Sequence, residues 1–135
     1  MNILDENILQ DQRQLLLNWR VPFRQISYEV GRKGMKDDEI IPFLLTLRQP
    51  TLFTVDRDFY KRELCHTRYS LVFLDVAQSE AAAFIRRLLR HPEFDTQAKR
   101  MGHIIRASHI GLAAWRLYAE REMHWSWPQQ ARVSV

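Results

Sequence analysis

The chain has a single cysteine, only four glycines and no apolar run that approaches the length of a membrane span. Each shortage excludes something. A lone Cys65 rules out an intrachain disulfide and suits a reducing, cytoplasmic setting. Cys65-His66 could open a zinc site, but no second Cys/His pair stands at ligand spacing. So few glycines leave no Gly-rich phosphate loop, which argues against nucleotide-cofactor folds. His103, His109 and His124 are scattered and have no Ser or Cys partner in a recognisable motif, so a hydrolase triad is disfavoured. No membrane helix is expected, and the acids Asp5 and Glu6 argue against a signal peptide.

What is present is ordinary in bulk and uneven in detail. With 135 residues, 46% hydrophobic and 27% charged, the chain is expected to form one soluble globular domain. Residues 1–75 carry 11 Lys+Arg and 11 Asp+Glu, whereas residues 76–135 carry 9 and 5, so the second part holds the whole net charge of +4. An acidic constellation followed by a basic part suits a nuclease that holds a metal and a phosphate backbone. A mildly basic surface is also common elsewhere, so charge alone is permissive.

Taken in order, residues 1–4 read as a short strand that ends in Asp5-Glu6-Asn7. Ile8, Leu9, Leu15, Leu16 and Trp19 give a helix face, which Val21-Pro22 ends. Residues 23–30 alternate as a second strand, and residues 31–34 form a loop. A helix is expected from Asp37-Asp38-Glu39 to about Leu47, with its acids where the macrodipole favours them and Pro42 cheap if it lies in the first turn. Residues 51–55 form a central strand, 58–64 a short helix, 70–74 another strand and 79–90 a helix with a basic outer face. Residues 101–117 fit either a helix or two strands turning near His109-Ile110-Gly111. Gly102 and Gly111 favour the hairpin. The tail carries Trp125 and Trp127, which with Trp115, Arg116 and Arg121 could clamp single-stranded RNA but are more often core or interface anchors. Strands and helices alternate over the first 90 residues, so a largely parallel sheet is expected.

The recurring signal is an apolar strand that stops at an acid: Asp5, Asp56 and Asp75. In parallel strands all three lie on one rim of the sheet, where open α/β folds place their ligands. An extended backbone would set Asp56 and Asp58 on the same side and Arg57 on the other. Clustered carboxylates repel unless protons or a cation intervene, and Mg²⁺ or Mn²⁺ with carboxylate and water oxygens is the usual answer. Strand-end acids can instead cap neighbouring helices, a reading that weighs heavily for Asp37 and Asp38. Asn7 fits a helix cap or a partner of metal-held water. Arg57 fits a phosphate contact or an ion pair. Gly31-Arg32-Lys33-Gly34-Met35-Lys36 is a basic loop beside the acidic helix start, where a nucleic-acid backbone could lie.

Leu4-Asp5-Glu6-Asn7, Lys36-Asp37-Asp38-Glu39-Ile40 and Thr54-Val55-Asp56-Arg57-Asp58-Phe59 together resemble a short bacterial PIN-like family that begins "LDEN", continues "DEEI" and closes its core with "T-D-x-D-F". The resemblance covers about residues 1–75 of a motif-bearing core of about 1–90; the basic part, about 91–135, carries no mappable motif. It implies a three-layer α/β/α PIN-like fold and metal-dependent cleavage of RNA, often as a toxin with a small antitoxin partner. It leaves a homodimer open. Carried over, Asp5, Asp37, Asp56 and Asp58 are the catalytic, Mg²⁺- or Mn²⁺-holding acids, with Asp38 and Glu39 as further candidates; Asp75 matches nothing specific in the motif and is a further candidate only as a strand-end acid. Arg32, Lys33, Lys36 and Arg57 are the expected nucleic-acid contacts. The alternative is a catalytically weak PIN-like module that acts through protein partners.

Overall fold

The computed structural model describes residues 1–26, 34–35 and 37–128. In chain order the elements are β1 (Asn2–Leu4), α1 (Gln10–Asn18), β2 (Arg24–Gln25), α2 (Asp37–Leu44), β3 (Thr51–Thr54), β4 (Ser70–Leu74), α3 (Ala81–Leu89), α4 (Gln97–Arg100), β5 (His103–Ala107), β6 (Leu112–Arg116) and β7 (Met123–Trp125). They build a mixed α/β protein around one seven-stranded sheet of order β2-β1-β3-β4-β5-β6-β7. The first five strands are parallel to their neighbours, and β6 and β7 are antiparallel additions. Among the described residues, no helix is long and apolar enough to cross a membrane.

Strands β1, β3 and β4 are buried on both faces and mostly apolar, whereas the outer strands β2 and β7 carry exposed residues. Consecutive side chains on one strand enter different core clusters, as the period-two pleat requires. Leu4, Phe53, Val72 and Ile105 join Leu16 of α1 with Phe84, Ile85 and Leu88 of α3. Their neighbours Ile3, Leu52, Leu71 and Ile104 join Ile40 and Leu44 of α2 with Phe59 and Tyr69. Helix α3 buries Ala81, Ala82, Phe84, Ile85 and Leu88, the spacing of one helical face. Its first turn is held from α1, where buried Gln12 Oε1 accepts from the Ala82 amide at 3.0 Å.

Several expectations change in detail. Residues 58–64 do not make one helix. Two 3-10 turns, Arg57–Phe59 and Arg62–Leu64, stand there instead. Asp56 caps the first, its carboxylate receiving the Asp58 amide, and the extended backbone of Lys61 (φ −135°, ψ 128°) separates the two. Helix α2 ends at Leu44 rather than Leu47, and Pro42 lies inside it beyond the first turn, where a proline removes a helical hydrogen bond. The second strand is short within the described residues, and residues 27–33 lie outside them. The hairpin over 101–117 forms, turning at 108–111 between β5 and β6. β5 also pairs in parallel with β4, so this basic part continues the sheet.

Candidate active site at the carboxyl edge of the sheet

Parallel pairing of β1, β3 and β4 brings their carboxyl ends to one edge, and with them Asp5, Asp56 and Asp75. The edge is built differently at its two ends.

Around β1 and β3 the acids converge. Asp5 is buried, only 5% exposed, beside the end of β3. Its amide donates to the Phe53 carbonyl at 2.9 Å, so the ladder itself fixes its backbone. The fully buried Thr54 hydroxyl donates to Asp5 Oδ2 at 2.9 Å and accepts the Asp56 amide at 3.0 Å. One hydroxyl therefore joins the first acid to the backbone of the second. Burial pushes the Asp5 carboxyl above its ordinary range and the Asp56 charge adds to that, although Thr54 and the Glu6 and Asn7 amides pull it back. Buried Gln25 Nε2 donates to the Asp5 and Ile8 carbonyls and holds the chain as it leaves β1.

Around β4 the charge is already balanced. Asp75 Oδ2 lies 3.1 Å from Arg106 Nε, and its Oδ1 lies 4.0 Å from Arg57 Nη2. The Arg57 guanidinium sits over the Phe73 ring, 5.9 Å from its centroid. Two arginines offset this carboxylate.

Asp58 is exposed on the 3-10 turn, and its amide serves the Asp56 carboxylate. Asp56 and Asp58 therefore do not lie along one side of an extended strand, because the chain turns there. Asp38 is exposed and Glu39 half-buried on the first turn of α2. The Asp37 side chain, Arg32, Lys33 and Lys36 lie outside the described residues. Asn7 does not cap α1; the cap position is Leu9, with no side-chain bond. Glu6 instead accepts the Gly34 amide at 3.2 Å on both carboxylate oxygens, tying the chain after β1 to the segment before α2. His109 and His124 pair with Glu80 and Glu122 at 2.9 and 3.1 Å. Among the described residues, no three His, Cys, Asp or Glu side chains group in a way that would hold a metal ion.

Two participants carried no separate signal in the sequence. Thr54 opens the third motif without a role of its own there, and its tie to Asp5 appears only where the fold sets the two side by side. Arg106 interrupts the apolar run of β5, and a cation inside a buried strand is the one feature that could have drawn notice. No family model, no curated protein and no solved structure matches this chain.

Proposed function

We propose that the chain is a PIN-like domain of three α/β/α layers that hydrolyses RNA phosphodiesters with Mg²⁺ or Mn²⁺, as the toxin of a toxin–antitoxin pair. The observation that carries this reading is the Thr54 bridge, which ties the Asp5 carboxylate to the Asp56 backbone at the carboxyl edge of a parallel sheet. The layering is supported by the two core clusters, one shared with α1 and α3 and the other with α2.

The donor set suits a hard divalent cation. Mg²⁺ is commonly held by one or two carboxylates, completed by waters and substrate phosphate oxygens. Asp5 and Asp56 are those carboxylates, and the raised Asp5 pKa marks a negative charge that a cation would relieve. Bound there, the ion supplies activation of a water and charge stabilisation at phosphorus. The protein's own part is positional. Thr54 fixes the Asp5 carboxylate, and the Asp58 amide fixes that of Asp56, so neither has to reorganise as charge develops. Asp37 and Asp58 are the next acids in the proposed set.

Incubation of a single-stranded RNA with the protein and Mn²⁺, against an EDTA control, tests the reading. Metal-dependent cleavage supports it. The alternative, an interaction module without catalysis, predicts intact RNA and a melting temperature indifferent to metal.

A further inference from the structure

Beside the acids, on the same edge, lies a cavity of about 230 Å³ lined by Arg57, Tyr60, Phe73 and Arg106. One water takes about 30 Å³ of liquid volume, so the space admits a ligand group with its hydration. Strand register builds it. Thr54, Phe73, Arg106, Ala113 and His124 pair directly across β3 to β7, so their side chains form one row on one face. Arg106 stands two strands from Thr54, about 10 Å away at ordinary strand spacing.

The cationic groups are held in a particular way. Asp75 engages Arg106 at Nε, which fixes the guanidinium plane. The two terminal nitrogens of Arg106 donate to no protein group among the described residues. The same carboxylate draws Arg57 alongside, over the aromatic floor of Phe73. No carboxylate lines the cavity. The nearby Glu122 is engaged at both oxygens, by the Tyr60 hydroxyl at 2.5 Å and by His124 at 3.1 Å. Two guanidiniums facing an open space, one with a free fork, match the oxygens of a phosphate better than a carboxylate partner already supplied from behind.

We propose that this cavity binds one phosphodiester group of a single-stranded RNA. The Arg106 fork grips the phosphate oxygens with Arg57 beside it, and Asp75 is the positioning residue for both. The proposal rests on the RNA-hydrolase reading, since it places a neighbouring phosphate of the same strand next to Asp5 and Asp56.

Fluorescence anisotropy with a labelled single-stranded RNA in EDTA tests it without requiring catalysis. Arg106→Gln should weaken binding at least fivefold and make the log–log salt dependence shallower by about 0.7, the share of one phosphate contact on a single strand. Arg106→Lys keeps the charge but loses the fork and should fall between the two. Arg57→Gln, at a side chain 80% exposed and so safe for folding, should weaken binding about threefold. Arg48→Gln, an exposed arginine just before β3 at the opposite edge of the sheet, should stay within twofold of wild type. Asp75→Asn gives a sign test. A purely electrostatic role predicts tighter binding, because a negative charge is lost, whereas a positioning role predicts weaker binding. The clamp is overturned if wild type does not bind, if Arg106→Gln and Arg57→Gln match wild type or Arg48→Gln, or if Asp75→Asn binds more tightly. Cleavage of the same RNA with Mn²⁺ is scored separately. Cleavage by wild type with binding unaltered in Arg106→Gln removes the clamp alone. Weakened binding in Arg106→Gln with no cleavage by wild type keeps the clamp and removes the hydrolase.

Discussion

Replacing Thr54 with valine keeps the shape of a fully buried side chain and deletes one oxygen. That oxygen serves two partners: it donates to Asp5 Oδ2 and accepts the Asp56 amide. A hydrogen bond to a charged group contributes about 1.5–3 kcal/mol, and an amide left without a partner costs about 1–3 kcal/mol when buried. Asp56 is half-buried, so water recovers part of the second amount, and the expected loss at neutral pH is about 2–4 kcal/mol. With 135 residues and an unfolding entropy of about 2.1 cal/mol/K per residue, that loss lowers the melting temperature by about 7–14 °C. The loss should also depend on pH. The hydroxyl stabilises the ionised carboxylate, so its removal raises the Asp5 pKa further. Once Asp5 is protonated in both proteins, its bond to the hydroxyl counts only as a neutral one while the Asp56 amide's loss remains, so the difference shrinks by about 1 kcal/mol. Thermal melts of both proteins from neutral to acid pH, without metal, read this directly. A loss under about 1 kcal/mol, or one that stays constant with pH, would refute the reasoning.

Three further outcomes follow from the same geometry. Asp5→Asn should remove a pH dependence: burial raises the Asp5 carboxyl, so the folded state protonates before the unfolded chain, and wild-type stability grows as pH falls through that folded pKa. The variant should be as stable as wild type or more so at neutral pH without metal, and should lose any rise in melting temperature on adding Mn²⁺; a variant melting well below wild type at neutral pH speaks against the buried-charge account. Gly111→Ala should cost more than about 2 kcal/mol, because a Cβ there would lie 2.4 Å from the Trp125 carbonyl oxygen at a backbone φ of 153°; a melt near wild type would mean that the β6–β7 approach is looser than described. Asp37→Asn should reduce RNA cleavage more than Asp75→Asn, whose carboxylate is already offset by arginines, and equal losses would misplace the next acid of the set.

The parallel sheet was legible because three apolar runs each stop at an acid, and a strand buried on both faces needs no alternation to be seen. The acidic edge followed from that arrangement without further information. What escaped was contact between residues distant in sequence. Asp75 and Arg106 meet across 31 residues through the β4–β5 register, which no local pattern encodes. The Asp56–Asp58 geometry escaped for the opposite reason, since a local cap overrode the extended backbone that period two assumes. Nothing local marks the role of Glu6, which ties Gly34 back to the end of β1 through a contact 28 residues away.

Asp56→Asn bears most directly on the proposed chemistry. Asparagine caps a turn as well as aspartate does, so the Asp58 amide keeps its partner and the metal-free protein should melt within about 0.5 kcal/mol of wild type, or slightly higher as repulsion with Asp5 is relieved. Cleavage of a single-stranded RNA in millimolar Mn²⁺ should nevertheless fall by far more than about tenfold, because a charged ligand for the ion is lost. A variant that folds like wild type and still cleaves RNA at the wild-type rate would contradict the assignment of this edge as a metal-dependent hydrolytic site.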